Sequence, residues 1–269
     1  MENPKFALPP KRIKLERNKM SLNFKKLVSI ILPFGIDRPY IKEAIASAID
    51  QTLNHDLYEV IIINDGVQSF THASLAEILK DYDSTPAFLY HEVDFSSLSK
   101  VVNYAIIKSS GKYYTILPDD DRFLPNKLLD LSSVLEEREF SVVYSLPYKI
   151  GATGERKTGI QKILDWAEKH PIVTWEHVVS GDGLLINGIT TMYSRYASDA
   201  AGGWDENLLR AEEWEFHLRL LKSGYDFKLV NAYTIEYRVH GNNKSKKRGS
   251  AERKAQMSYI YNKLQIGRE

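Results

Sequence analysis

Short apolar runs alternate with segments of helical period over the first 145 residues, and this alternation constrains the fold more than any other feature. The apolar, β-branched runs are typical of buried strands, and the segments between them place apolar residues on one helix face. Regular alternation of strands and helices predicts an α/β fold with a mostly parallel central sheet and helices on both faces. Strands are expected at 27–32, 59–63, 87–91, 113–117 and 141–145, and helices from Pro39, over 71–83 and around 101–106.

Glycine and proline place some of the expected boundaries. Gly111 is expected to close the helix around 101–106 as its C-terminal cap, and Pro125 to open the helix after the strand at 113–117. The second half is less regular. There we expect strands near 190–194 and 234–239, helices over 210–223 and 251–264, and loops at 151–159 and 242–249.

The net charge of +1 conceals basic ends and an acidic middle. Residues 1–26 carry eight Lys and Arg against two Glu, and residues 240–254 carry six against one. A uniformly basic nucleic-acid binder has a different pattern, so no nucleic-acid partner is expected. The basic ends are candidates for peripheral contact with anionic lipid or a polyanionic acceptor. The plainer alternative is a solvated tail and a flexible loop.

Several classes of protein are excluded by what the sequence lacks. Without cysteine there is no disulfide scaffold, Cys-based zinc site or thiol catalysis, and a reducing compartment fits this composition. No apolar run reaches the roughly 18 residues that a membrane-spanning helix needs, and no secretory signal pattern is visible. We therefore predict a cytoplasmic protein. GxGxxG, GxxxxGK[ST], GxSxG and HExxH motifs are absent.

The most informative polar feature is the acid triplet Asp119-Asp120-Asp121, which follows the expected strand at 113–117. Adjacent carboxylates repel one another, and a divalent cation relieves that repulsion. Mg²⁺ and Mn²⁺ take oxygen ligands, commonly one or two carboxylates together with substrate phosphates. Ligands of open α/β sheets bind outside the carboxyl ends of strands, which is where the triplet lies. The alternative is a solvated acidic turn ahead of the helix at Pro125.

Other polar groups give weaker signals, each with a structural alternative. Asp65 follows the expected strand at 59–63 and could accept hydrogen bonds from a base or ribose, or simply form a turn. Glu212 and Glu213 lie early in a helix, where one could act as a general base or merely favour the helix dipole. Arg238 and His240 follow a strand and could hold a diphosphate or complete a metal shell.

The helix after residue 210 has an apolar stripe formed by Trp214, Leu218 and Leu221. This spacing leaves Glu213 and His217 on another face of the helix.

In chain order these elements resemble the family 2 glycosyltransferases, which have the GT-A fold. The opening strand VSIILP resembles that family's VSIIIP, the segment EVIIINDG resembles EIIVVDDGS, and LPDDDRFLP resembles the DXD metal motif. The resemblance covers about residues 27–243. Its other elements are 48–52, 103–113, the pair 202–206 and 212–214, and 238–240.

The resemblance implies a Rossmann-like sheet with an acceptor-side subregion. It implies a nucleotide-sugar half at 27–145 and an acceptor and catalytic half at 146–243. A basic lead-in (1–26) and a basic loop with a C-terminal helix (244–269) lie outside it. The implied activity is metal-dependent, inverting transfer of a sugar from a nucleotide-diphosphate donor, with UDP favoured, to a saccharide or glycolipid acceptor. Polysaccharide or glycoconjugate synthesis is the implied role.

The resemblance also implies roles for individual residues. Pro33, Phe34, Asp65, Asn103, Asp119, Asp120 and Arg238 would contact the donor. Asp119, Asp120, Asp121 and His240 would hold Mn²⁺ or Mg²⁺. Glu213 would be the catalytic base, with Glu212 as the alternative.

Three departures from the family pattern leave other functions open. Pro118 stands where many members have Asp, Val67 replaces a usual Ser, and Glu213 replaces a usual Asp. A catalytically degenerate GT-A binding module therefore stays an alternative. A sugar nucleotidyltransferase is another, although residues 33–38 do not match its expected Gly-rich loop. Donor sugar, acceptor and oligomeric state stay open.

Overall fold

The apolar runs pair into one sheet that passes through both halves of the chain. The structure is a computed structural model describing residues 24–137, 141–179, 184–241 and 251–266. The strands are β1 (Lys26–Phe34), β2 (Tyr58–Asp65), β3 (Ala87–Val93), β4 (Gly111–Ile116), β5 (Arg122–Phe123), β6 (Val142–Ile150), β7 (Arg156–Lys157), β8 (Ile172–Val173), β9 (Thr191–Ser194) and β10 (Phe227–Arg238). The helices are α1 (Ile41–Ile49), α2 (His72–Leu79), α3 (Leu98–Lys108), α4 (Lys127–Glu137), α5 (Gln161–Lys169), α6 (Trp175–Val179), α7 (Arg195–Ala200), α8 (Glu212–Lys222) and α9 (Ala251–Lys263).

The strand order is β3-β2-β1-β4-β9-β6-β10-β5, with β7 and β8 attached to β6 and β10. Strands β3, β2, β1 and β4 are parallel neighbours. Strand β9 is antiparallel to both β4 and β6, and β6 is parallel to β10. Strands β6 and β10 therefore run in the same direction as the first four. The predicted mostly parallel sheet is confirmed, with β9 and the two-residue strands as the exceptions.

Helices cover both faces of the sheet, as predicted. Alternate residues of β1 face opposite sides: Ile30 belongs to a core cluster with Ile45 of α1, and Ile31 to a second cluster with Val102 of α3. Because these side chains are fully buried, each contributes about 1.5–3 kcal/mol to the hydrophobic stabilisation. Trp166 of α5 belongs to the second cluster.

Gly111 does not cap a helix, which corrects the expectation from sequence. Helix α3 ends at Lys108, and Gly111 is the first residue of β4. A Cβ at Gly111 would lie 2.4 Å from the Oγ of Ser29. That hydroxyl accepts the Gly111 N–H at 2.9 Å and donates to Glu59 Oε1 at 2.7 Å. The glycine is therefore required by the close approach of β4 to β1.

Two further segments differ from the expected secondary structure. Strand β10 is twelve residues long, because it pairs with β6 over most of its length, whereas the sequence suggested only 234–239. The expected loop at 151–159 contains the short strand β7, which pairs with β6. The expected loop at 242–249 and the lead-in at 1–23 lie outside the described residues.

Candidate active site

The carboxyl ends of β1, β2, β4 and β10 lie at one edge of the sheet. Phe34, at the end of β1, pairs with Asn64 of β2, and Ile31 pairs with Ile116 at the end of β4. Strand β10 runs in the same direction and ends at Arg238. The segments that follow these strands, including 35–40, 117–121 and 239–241, therefore meet at the edge where ligands of α/β sheets bind.

The three acids of the triplet have three different partners. Asp119 Oδ1 accepts a hydrogen bond from Arg38 Nη1 at 2.6 Å. Asp120 Oδ2 lies 2.9 Å from His240 Nε2. Asp121 Oδ1 accepts the backbone N–H of Arg238 at 2.7 Å. The predicted convergence of all three carboxylates on one cation is therefore not found. In the described part of the chain, no group of three or more His, Cys, Asp or Glu residues is arranged to hold a metal.

Asp121 and Arg238 support the acid loop through contacts within the protein, and the ligand roles predicted for them stay predictions. The side chain of Arg238 is 1% exposed. Its Nε donates to the carbonyl oxygen of Asp120 at 2.8 Å, and its Nη2 donates to Glu43 Oε2 at 2.6 Å. Its guanidinium lies 4.3 Å from the centre of the Tyr40 ring. Arg238 therefore holds the acid loop from beneath, and the structure gives it no surface open to a diphosphate.

Burial disfavours ionisation of two carboxyl groups of the triplet. Burial raises the pKa of Asp119 to about 7, an effect that Arg38 opposes and Asp120 strengthens. Burial and then the charge of Asp120 raise the pKa of Asp121 well above its usual range. Both pKa shifts mean that these carboxyl groups are costly to ionise unless more positive charge lies nearby.

The donor set at this edge fits a hard divalent cation. Asp119 Oδ2 is buried and has no hydrogen-bond partner within the described ranges. Asp120 and His240 are both largely buried and point at each other across 2.9 Å. Mg²⁺ and Mn²⁺ are commonly bound through one or two protein ligands, with waters and substrate phosphates completing the shell. Asp120 and His240 are therefore a candidate pair of ligands, the second oxygen of Asp119 is a further donor on the same loop, and the ligand role predicted for Asp121 stays a prediction.

The candidate nucleoside contacts lie at the ends of β1 and β2, but they differ in availability. Phe34 is 5% exposed and packs edge-on against Phe70 with ring centres 5.2 Å apart, so it belongs to the core. Pro33 is partly exposed. Asp65 Oδ1 accepts the backbone N–H groups of Phe95 at 2.6 Å and Ser96 at 3.1 Å. One Asp65 oxygen therefore shapes the loop after β3, which leaves Pro33 and the second oxygen of Asp65 as candidates.

Asn103 positions a loop, and its predicted contact with the donor stays a prediction. Its Oδ1 accepts the N–H of Trp204 at 2.9 Å, and its Nδ2 donates to the Trp204 carbonyl and to Glu206 Oε1, both at 2.9 Å. A Cβ at Gly203 would lie 3.0 Å from Asn103 Oδ1. Both polar atoms of the side chain are engaged by residues 203–206.

Glu213 reaches the same edge through Gly188. Its Oε1 accepts the backbone N–H of Gly188, and a Cβ on that glycine would lie 2.6 Å from Glu213 Cδ. Strand β9 is antiparallel to β4, with Tyr193 opposite Tyr114. The turn at Gly188–Thr190, which precedes β9, is therefore level with the end of β4 and the start of the acid loop. Glu212, the alternative base, is 9% exposed.

The apolar stripe expected on α8 underestimates how deeply this helix is buried. Leu218 and Leu221 are buried as expected, but Trp214 is only partly buried. His217 is fully buried with its Nε2 2.7 Å from the Tyr193 hydroxyl, and burial lowers its pKa to about 3. The helix packs on several sides, so one apolar face does not describe it.

Two residues of this region have no counterpart among the predicted site residues. Arg38 lies in the loop after β1 and brings positive charge to Asp119 and, at 3.7 Å, to Asp120. The sequence signal that could have identified Arg38 is an arginine in the loop after the first strand. Lys127, at the start of α4, is fully buried and donates to the carbonyl oxygen of Ile189 at 3.1 Å. A lysine in a first helical turn gives no sequence signal for such burial.

Known proteins share this arrangement of strands and motifs. Residues 29–199 match the family model described as Glycosyl transferase family 2. The chain belongs to glycosyltransferase family 2. The predicted family and the predicted enzyme class, a glycosyltransferase, are therefore confirmed. The matched residues include the acid triplet and end before Glu213 and His240.

Curated relatives of this glycosyltransferase are found in archaea and bacteria. The uncharacterized glycosyltransferase MJ1057 of Methanocaldococcus jannaschii is 25% identical over 224 residues, which cover 80% of this chain and 71% of the relative. The putative teichuronic acid biosynthesis glycosyltransferase TuaG of Bacillus subtilis is 26% identical over 242 residues, which cover 88% of both proteins.

Solved structures confirm the predicted GT-A fold. S. aureus TarS 1-349 in complex with UDP-GlcNAc matches with a TM-score of 0.66 at 16% identity, over 88% of this chain and 66% of that one. The mannosyltransferase PcManGT from Pyrobaculum calidifontis, in complex with GDP-Man and Mn²⁺, matches with a TM-score of 0.67 at 14% identity, over 92% and 66%. This glycosyltransferase thus spans about two thirds of each.

In the part of the chain that the structure describes, no helix is both long and apolar enough to cross a bilayer.

Proposed function

We propose that this glycosyltransferase is a metal-dependent, inverting enzyme that moves a sugar from a UDP-sugar donor to an acceptor hydroxyl in polysaccharide or glycoconjugate synthesis. The observation that carries the proposal is the pairing of Asp120 with His240 beside the unpartnered oxygen of Asp119, at the carboxyl edge of the sheet. The same edge receives Glu213 through the Gly188 turn. A metal site and a base therefore flank one region.

The comparisons support the donor class. TarS is described in complex with UDP and with UDP-GlcNAc, and PcManGT with GDP-Man and Mn²⁺. TuaG is named for teichuronic acid biosynthesis, and GgaB of Bacillus subtilis, which is 26% identical over 161 residues, for minor teichoic acid biosynthesis. We infer a UDP-sugar as donor and a cell-surface polymer or its glycolipid precursor as acceptor.

Different residues of this chain have different roles in a displacement at the anomeric carbon. Pro33 and the second oxygen of Asp65 receive the nucleoside. Asp120, His240 and the second oxygen of Asp119 would hold the divalent cation. When bound, the divalent cation supplies positive charge against the departing diphosphate. Glu213 accepts the proton of the acceptor hydroxyl, a step that typically contributes a factor of roughly 10²–10⁴ to the rate.

Inversion follows from placing the base and the leaving group on opposite sides of the sugar, because a single displacement then reverses the anomeric configuration. Arg238 and Asp121 support this arrangement by fixing the backbone of the acid loop. Family membership disfavours the sugar nucleotidyltransferase alternative.

Calorimetry of UDP, GDP and dTDP, each with and without Mn²⁺, tests the proposal. We expect UDP to bind most tightly and only with Mn²⁺. Asp120→Asn should weaken UDP binding in the presence of Mn²⁺ at least tenfold, since it weakens a proposed metal ligand. Asp165→Asn is the matched control, because Asp165 is an exposed aspartate of α5, and it should bind like the unmodified protein. If no nucleotide binds better than millimolar, the proposal is wrong.

A further inference from the structure

A cavity lies beside the turn that holds Glu213. It has a volume of about 160 Å³ and opens between the second half of β6, helix α5 and the segment that precedes β9. Pockets for drug-sized ligands are typically about 300–1,000 Å³, so this one suits a smaller group. It is lined by 144–149, Gly159, Ile160, Ile163, Trp166, Ala167, 185–187, Thr190 and Tyr237.

The walls of the cavity are mainly aromatic and aliphatic, and the polar groups at its base are already paired. The Tyr144 hydroxyl donates to the carbonyl oxygen of His170 at 2.6 Å. Ser145 Oγ lies 2.5 Å from Thr234 Oγ1 and donates to the carbonyl oxygen of Thr190 at 3.1 Å. Paired polar groups leave an apolar, partly aromatic surface, which is the kind of surface that the C–H face of a sugar ring packs against.

One end of the cavity reaches the candidate base. Asn187 and Thr190 line it, and between them lies Gly188, whose N–H is bound by Glu213. A group seated in the cavity is therefore separated from the Glu213 carboxylate by a single turn of backbone. Neither the acid loop nor Asp65 lines the cavity, so it is distinct from the candidate donor site.

Lys149 is the cationic residue among those that line the cavity. The nearby Arg156 is bound to Glu236 at 3.1 Å and Lys157 to Glu155 at 3.3 Å, so both belong to ion pairs. Lys149 is therefore the group that can attract an anion into this cavity.

We propose that this cavity binds the terminal sugar of the acceptor, and that this sugar carries a phosphate or carboxylate group that lies against Lys149. The inference rests on the proposed function, since an acceptor implies a transferase. The aromatic wall would receive the ring, Lys149 would select the anion, and the Gly188 turn would bring a hydroxyl toward Glu213. The acceptor class that follows is an anionic saccharide, such as a sugar phosphate or a uronate.

Calorimetry with simple probes tests this site directly. The probes are the 1-phosphates and the 1-O-methyl uronates of glucose and galactose, together with the methyl glycosides of the same sugars. We expect at least one anionic probe to bind at least tenfold more tightly than its neutral counterpart. A preference for the phosphate or for the uronate then identifies the anion. If no anionic probe shows this preference, the proposal is wrong.

Two variants, each with a matched control, locate the binding. Ile163→Trp fills the cavity from the surface of α5 and should weaken binding at least tenfold, whereas Gln161→Trp on the same helix should not. Lys149→Met should remove the preference for anionic probes and leave binding of neutral probes unchanged. Lys157→Met is its control, because Lys157 is exposed and lies outside the cavity. Binding that is unaffected by Ile163→Trp would overturn the proposal.

A separate readout distinguishes this proposal from the proposed function. Hydrolysis of UDP-sugar without acceptor reports the donor site and does not require a probe in the cavity. If the unmodified protein binds the probe but does not hydrolyse UDP-sugar, the result contradicts the proposed donor chemistry and not the cavity proposal. Probe binding that is lost in Asp120→Asn would show that the probe occupies the donor site, and this would overturn the cavity proposal.

Discussion

Replacing Arg238 by alanine should destabilise the protein strongly, because its side chain is buried beneath the acid loop. The side chain donates to the carbonyl oxygens of Asp120 and Ala152, both at 2.8 Å, and to the carboxylate of Glu43 at 2.6 Å. Glu43 is 42% exposed and can be solvated again after the change, so it adds little to the loss. The buried carbonyl oxygen of Asp120 and the partly buried one of Ala152 each lose a charged donor, at about 1–3 kcal/mol for the buried group and less for the other.

Together with the lost packing on Tyr40, we expect Arg238→Ala to lower the free energy of unfolding by about 3–5 kcal/mol, which is typical of breaking a buried charged network. Urea unfolding at 25 °C, followed by circular dichroism, measures this. The matched control is Arg156→Ala. Arg156 is 50% exposed and forms a 3.1 Å ion pair with Glu236, so about 1 kcal/mol or less is expected.

Arg238→Lys separates charge from geometry, since an ammonium keeps the charge but cannot reach three acceptors in the same plane. We expect an intermediate loss. If the losses in free energy of unfolding for Arg238→Ala and Arg156→Ala agree within about 1 kcal/mol, Arg238 is not a structural support. The donor-binding role predicted from the sequence is then favoured.

Three further predictions concern the candidate base and a buried amine. Glu213→Gln should slow UDP-sugar hydrolysis by roughly 10²–10⁴-fold with unchanged nucleotide affinity, while Glu212→Gln should not; the reverse result would make Glu212 the base. Gly188→Ala should slow hydrolysis by at least tenfold, because its Cβ would displace the Glu213 carboxylate, and the double variant with Glu213→Gln should be no slower than Glu213→Gln alone. Burial lowers the pKa of Lys127 from 10.5 to about 7, so between these pH values the unfolded chain binds a proton that the folded chain does not. The free energy of unfolding should therefore rise with pH in this window, by up to ~1.4 kcal/mol per pH unit. Lys127→Met should lack that contribution, which urea unfolding at pH 7 and pH 9 measures. If the free energy of unfolding changes equally with pH in the variant and in the unmodified protein, the assignment is contradicted.

Much of the architecture was predictable because it is encoded locally. The β-branched run in β1 and the helical spacing of α1 identify their elements without knowledge of the rest of the chain. Their alternation predicts the parallel sheet, and a parallel sheet brings strand ends to one edge. The position of the acid triplet at the same edge as Asp65 and His240 follows from the same rule.

The errors have a common cause in contacts between distant segments. Gly111 looked like a helix cap because glycine is common there, but its role is set by Ser29, across the sheet. Likewise, the contact of Asn103 with a loop about a hundred residues away has no signal in the sequence around it. No local pattern records which strand or loop will lie against a side chain, so such roles are visible only after folding.

The order of strands and helices, the family and the polar residues that follow the strands can all be read from the sequence, because periodicity and turn chemistry are local properties of the chain. The partners of the triplet are visible only in the folded chain: Asp119 pairs with Arg38, Asp120 with His240 and Asp121 with the backbone of Arg238. They differ because neighbouring carboxylates point in different directions from one loop. Their partners come from strand ends more than eighty residues away, and the register of the sheet alone brings those ends together.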